Sequence, residues 1–224
     1  MTIMMSARDL TKIYRRGSEE VRALDGVSFE ARAGEMTAVI GPSGSGKTTL
    51  LNIMGCLDNP TAGTLSVDGE EIFGGRKTLS EKKLTQIRRR IFGYIFQKFY
   101  LIPTLTVREN IMSPSVFYSG PAGSRSPEDL MKLLGIDKRA GHLPGELSGG
   151  EMQRVAIARA LINSLKVILA DEPTGSLDST RVGEIKEILR GLAVQGLAVV
   201  IVTHNPELAK ASDRTIELRD GKAA

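Results

Sequence analysis

Short apolar runs separated by helical stretches dominate the pattern of these 224 residues. Residues 36–40, 91–96, 167–170 and 198–202 read as strands, each a compact run of apolar side chains. Upstream, alternation from Ser6 to Tyr14 and from Val27 to Ala31 predicts half-buried antiparallel strands, and Thr64 to Val67 predicts another before the turn Asp68-Gly69. Helical spacing is expected over 47–57, 79–90, 106–117, 127–134, 149–163 and 180–193. Strands alternating with helices predict an α/β fold with a largely parallel, helix-covered sheet. The mainly helical middle, 98–165, reads as an insertion into a core made of 1–97 and 166–224, so that 1–224 is a single domain.

Composition changes this picture little. The chain is 41% hydrophobic and 25% charged, with a net charge of +4. Its densest basic run, Lys82 to Arg90, falls on a predicted helix and reads as a solvated face, so no nucleic-acid partner is expected. The single cysteine, Cys56, is expected on an apolar helix face with Leu51, Met54 and Leu57, as a small core residue in a reducing compartment. Residues 1–9 lack a basic segment followed by an apolar core, and the longest apolar stretch is too short to span a bilayer. A cytoplasmic location is expected, with any membrane role arising through a partner.

The chemistry lies at the ends of the apolar runs. Gly41-Pro42-Ser43-Gly44-Ser45-Gly46-Lys47-Thr48 follows the run 36–40 and fits the phosphate-loop pattern G-x-x-x-x-G-K-[ST]. Phosphate demands many donors without intervening side chains, and glycines let backbone N–H groups and the next helix's N-terminus face the anion. Lys47 supplies a cation to the β/γ oxygens and the Thr48 hydroxyl a ligand for Mg²⁺. The run 167–170 ends in Asp171-Glu172, where one carboxylate suits Mg²⁺ and the other can take a proton from water.

With Leu147-Ser148-Gly149-Gly150-Glu151 and its continuation to Leu161, these motifs make the chain resemble, over essentially its whole length, the ATPase subunits of ATP-binding cassette (ABC) transporters. The resemblance implies a P-loop NTPase core with a mainly parallel sheet, an N-terminal antiparallel β subdomain and an inserted α-helical subdomain. It implies ATP contacts from Tyr14, as the aromatic stacking on adenine, and from Gly41 through Thr48 and Thr49. Asp171, Thr48 and Gln97 would bind Mg²⁺, Glu172 would be the general base, and His204 would reach the γ-phosphate. Leu147 to Glu151 and Asp178, in the loop Ser176-Leu177-Asp178, would act on the ATP of a second copy, giving a homodimer with ATP sandwiched between subunits. A separate transmembrane permease is implied, docked through 98–106, with the cassette peripheral on the inner face of the cytoplasmic membrane.

Within the family, 52–58, 96–103 and 168–178 are similar to the exporter branch of macrolide-efflux, lipoprotein-release and cell-division ATPases. Uptake is the alternative. A soluble chromosome or DNA-repair ATPase recedes, since about fifty residues between Gln97 and Leu147 carry no sustained heptads. A regulatory module without turnover is disfavoured by intact Lys47, Glu172 and His204. The sequence departs from the family at Asn205, where aspartate is usual, and at Glu151, where glutamine is common in this branch. It also departs over 120–127, whose prolines and glycines break a normally helical stretch.

Overall fold

The structure, a computed structural model, describes residues 2–74, 77–117, 125–163, 165–175 and 177–223. Strands β1 (Ile3–Arg16) and β2 (Glu19–Arg32) pair antiparallel. After β3 (Met36–Ile40) and helix α1 (Lys47–Met54), strands β4 (Ala62–Val67), β5 (Glu70–Gly74) and β6 (Lys77–Thr78) join β1, in the order β2-β1-β4-β5-β6. Helix α2 (Glu81–Ile91) then leads to β7 (Phe92–Ile95). Its basic run is solvated as expected, with Leu84, Ile87 and Ile91 buried and Lys82, Lys83, Arg89 and Arg90 exposed.

Helices α3 (Val107–Met112), α4 (Pro127–Leu133) and α5 (Gly149–Leu161) lie between β7 and β8 (Val167–Asp171). The chain closes with α6 (Ser179–Val194), β9 (Ala198–Val202), α7 (Pro206–Ala211), β10 (Arg214–Arg219) and β11 (Lys222–Ala223). The main sheet runs β11-β10-β3-β9-β8-β7 and is parallel except for β11.

The apolar runs are explained by burial on both faces. Val167 and Leu169 of β8, with Ala198, Val200 and Val202 of β9, face a core shared with the antiparallel sheet and α1. Ile168, Ala170, Val199 and Ile201 face the opposite way, into a core shared with α3 to α6.

Three local expectations are corrected. Helix α1 stops at Met54, because Gly55 caps it and Cys56 turns into the left-handed region at φ 57°. Cys56 is therefore buried in a turn, not on a helix face, and burial pushes its thiol up to about 12, which makes it inert. The 106–117 stretch is a short α-helix plus a 3₁₀ turn (Ser115–Phe117). The helix expected from Pro127 is present: that proline sits in the first turn of α4, with the Ser126 hydroxyl accepting the Asp129 N–H. Of the departure over 120–127, residues 120–124 lie outside the described residues.

Candidate active site

Four adjacent parallel strands, β3, β9, β8 and β7, deliver their C-terminal ends to one edge of the sheet, the place where ligands of open α/β sheets bind. The phosphate loop follows β3, His204 follows β9, Asp171-Glu172 ends β8 and Gln97 follows β7. Gly41, Ser43, Gly44, Gly46, Lys47, Thr48, Thr49, Gln97, Asp171, Glu172 and His204 line a single cleft of about 730 Å³.

The loop is glycine-rich for two separate reasons. At Gly46, φ is 101° and a Cβ would sit 2.3 Å from the Ala23 carbonyl oxygen; at Gly41 it would sit 2.1 Å from that of Leu218. Both positions are pressed against other strands. At Gly44 the space is open, and only the left-handed backbone requires glycine. Lys47 Nζ lies over the loop, donating to the carbonyls of Gly41 at 2.9 Å and Pro42 at 2.8 Å. Thr48 and Thr49 follow in the first turn of α1, and the Thr48 hydroxyl donates to Asp171 Oδ2 at 3.3 Å. Burial raises the Asp171 carboxyl above its ordinary value, and the neighbouring charge of Glu172 adds to this against the opposing Thr48 bond and Lys47 charge. Thr48, Asp171 and Gln97 thus line one cleft, and their side chains carry the oxygen donors that suit a hard cation.

Glu172 is held from three sides. Its Oε1 lies 2.7 Å from His204 Nδ1, and its Oε2 accepts from the Thr203 hydroxyl at 3.2 Å and the His204 N–H at 3.4 Å. The carboxylate is 14% exposed and the His204 ring 72%, so the first is fixed while the second reaches into the cleft. Glu172 itself adopts φ 46°, a left-handed backbone uncommon for a non-glycine residue, secured by its N–H to the Val202 carbonyl at 2.9 Å. Asn205 caps α7 through two N–H bonds to Oδ1, a task amide and carboxylate side chains share, so the departure there preserves local structure.

The remaining sequence-marked residues lie elsewhere. Ser148 caps α5 in a reciprocal box: its Oγ accepts the Glu151 N–H while the Glu151 carboxylate accepts the Ser148 N–H at 2.8 Å and Arg139 Nε at 2.8 Å. The backbone and hydroxyl of Ser148, then Arg139, bring the Glu151 carboxyl down to about 2. Ser148, Gly150, Glu151 and Asp178 line a second depression with Arg181, away from the phosphate cleft; Leu147 is buried and Gly149 opens α5. Asp178 caps α6; Ser176 lies outside the described residues. Tyr14, 40% exposed, is outside the cleft's lining but adjoins it: its cross-strand partner Val21 lines the cleft.

Sequence reasoning missed Thr203, Val21 to Ala23 and Asp220-Gly221, which also border the cleft or its base. Thr203 was findable as the hydroxyl between an apolar strand and His204. Ala23 acts through a carbonyl, which no side-chain pattern announces. In 98–106, Arg159 Nη1 and Nη2 hold the carbonyls of Tyr100 at 2.6 Å and Phe99 at 2.7 Å, Tyr100 is 63% exposed, and Leu101 packs on the helical core.

Comparison with known proteins agrees with this geometry. A family model described as ABC transporter matches residues 24–175. The macrolide export ATP-binding/permease protein MacB of Shigella flexneri is 46% identical over 224 residues, covering 99% of this chain and 34% of that protein. The chain thus spans about a third of the length of that curated relative. The bacterial ABC transporter cassette MJ0796, in a dimeric structure, shares 41% identity and a TM-score of 0.88 over 98% of this chain and 96% of its own. The same cassette in a dimeric post-hydrolysis state bound to ADP and Pi superposes with a TM-score of 0.87. With the phosphate loop, paired carboxylates, glutamine and histidine in one cleft and the signature turn in another, the chain belongs to the ABC transporter family, as an ATP-binding and ATP-hydrolysing cassette.

Proposed function

We propose that this cassette powers a transmembrane permease, in an exporter or force-transmitting system, by closing as a homodimer on two ATP molecules. Residues 1–97 and 166–224 would hold the nucleotide, and 98–165 would carry the signature turn and the permease contact. The carrying observation is the separation of the two half-sites. The phosphate cleft holds Lys47, Glu172 and His204, whereas Ser148, Gly150 and Asp178 line a different depression of the same chain. Residues unable to share one ATP within a chain can share it between two. The similarity to the macrolide export protein MacB supports export, and that to the dimeric cassette supports dimerisation.

Within each site, phosphate oxygens compete with the Gly41 and Pro42 carbonyls for Lys47, and Tyr14 stacks on adenine. Glu172, oriented by Thr203 and His204, takes the proton of the attacking water, while His204 meets the γ-phosphate. Thr48, Asp171 and Gln97 fit Mg²⁺: their oxygens are hard donors, they line one cleft, and the Thr48 hydroxyl already meets the Asp171 carboxylate there. These residues would hold the ion where its charge would offset that of the phosphates. Among the described residues no helix is long and apolar enough to cross a membrane; we place the cassette on the cytoplasmic face, held by the permease through exposed Tyr100 and its neighbours. MacB carries ATP-binding and permease functions under one name, and the same contact serves a permease on this polypeptide or on a separate one.

The test mixes Lys47→Ala with Ser148→Arg chains. Each mutant alone damages both sites of its homodimer; a heterodimer keeps one composite site intact. ATPase activity that returns on mixing supports sharing between chains. Absence of recovery in heterodimers verified by tandem affinity tags rules it out.

A further inference from the structure

Beyond the phosphate loop, helix α1 ends in a turn whose side chains reach across to β1. Leu57 and Asp58 both donate their N–H groups to the Asn52 carbonyl, at 2.8 and 3.3 Å, which fixes Asp58 just past the helix. Its carboxylate then joins two residues of one strand. Oδ1 takes Lys12 Nζ at 2.7 Å and the Asn59 N–H at 2.7 Å; Oδ2 accepts the Tyr14 hydroxyl at 2.8 Å. Lys12 Nζ also donates to the Asn59 carbonyl at 2.6 Å and stands 4.8 Å from the centroid of the Tyr14 ring, over its face.

We infer that Asp58 and Lys12 are positioning residues for the nucleotide base, holding the Tyr14 ring in one orientation with a single face open for stacking. This rests on the reading of Tyr14 as the adenine-stacking aromatic. A tyrosine on an exposed ribbon edge is otherwise free to change rotamer, and each base bound must first order it. Here the hydroxyl is tied at its far end and the ammonium occupies one ring face, so the base meets a platform already set. Both ends of the nucleotide then refer to one rigid body. The phosphates lie at the N-terminus of α1 and the aromatic is tethered past its C-terminus, about 12 Å along an eight-residue helix. The segment 52–58, which carries part of the exporter likeness, thereby acquires a task in nucleotide binding.

The experiment compares steady-state ATP hydrolysis and inhibition by inorganic tripolyphosphate, which has no base, in Tyr14→Ala, Tyr14→Phe, Asp58→Ala and Tyr14→Phe/Asp58→Ala. Losing one side-chain hydrogen bond should raise KM for ATP about three- to tenfold in Tyr14→Phe and in Asp58→Ala. In both, kcat should stay within about twofold and tripolyphosphate inhibition should not move. The double variant should be no worse than the singles. If Tyr14→Ala raises KM while Tyr14→Phe and Asp58→Ala do not, the tether is refuted and the stacking role stands. If Tyr14→Ala leaves KM unchanged, the stacking role fails and this inference with it. If tripolyphosphate inhibition weakens in step with ATP, Asp58 merely supports α1, which also overturns the proposal. Should Asp58→Ala not fold, Tyr14→Phe, which removes only the hydroxyl, decides.

Discussion

Glu172→Gln exchanges one heavy atom without changing volume, and the surroundings of Glu172 let its consequences be separated. The native carboxylate has a bond to His204 Nδ1 on one oxygen and bonds from Thr203 and the His204 N–H on the other. A glutamine can keep its carbonyl oxygen toward Thr203 and turn its amide to His204 Nδ1, which accepts in the tautomer protonated at Nε2. All three contacts survive, so stability should change by under about 1 kcal/mol and the melting temperature by at most about 4 °C. What is lost is the capacity to take a proton from water, worth about 10²–10⁴ in rate, or roughly 3–5 kcal/mol of barrier. ATP turnover should fall by that factor while nucleotide affinity is retained, and size-exclusion chromatography with ATP should show accumulated dimer. Turnover within about tenfold of the native protein at unchanged melting temperature would refute Glu172 as the base. Turnover lost together with a large fall in melting temperature would make it a structural residue.

Tyr100→Ala should leave basal ATPase of the cassette intact, since that side chain is exposed and away from the cleft, yet weaken co-purification with the permease. Loss of basal turnover would place Tyr100 in the catalytic fold instead. The Glu151 carboxyl, held near 2 against an ordinary 4.5, contributes stability that is complete above about pH 4.5 and is lost as pH falls toward 2. The melting temperature of the native protein should therefore exceed that of Glu151→Gln at pH 6 by a gap that narrows below about pH 4.5 and closes only near pH 2; a gap independent of pH would show that charge at 151 is irrelevant.

Where periodicity was strong, sequence and structure agree closely. Met36–Ile40 and Ala198–Val202 are strands at the expected bounds because apolar runs buried on both faces have few alternatives. β10 escaped notice although Ile216 and Leu218 alternate with polar neighbours, since four of its six residues are charged or polar and burial touches only one side. At the site, side chains lining the cleft were legible from their motifs. Contributions made through backbone, such as the Ala23 and Leu218 carbonyls that force glycine at 46 and 41, were not, because any residue carries a carbonyl. The Asp58 tether was invisible for a third reason: its partners are 44 and 46 positions away and meet it only through the turn at Cys56.

The left-handed backbone at Glu172 sets local foldability against the chemistry proposed for its carboxylate. A residue chosen for conformational ease there would be glycine or asparagine, and holding glutamate in that region costs about 1–3 kcal/mol. Laboratory evolution or redesign that rewards only thermal stability will therefore find gains at this strand end, and find them by discarding the carboxylate. Selection on turnover runs the other way and accepts a less stable chain. With Glu172 as the proposed base, position 172 is where a stabilised variant of this cassette should be inspected first for silent loss of turnover.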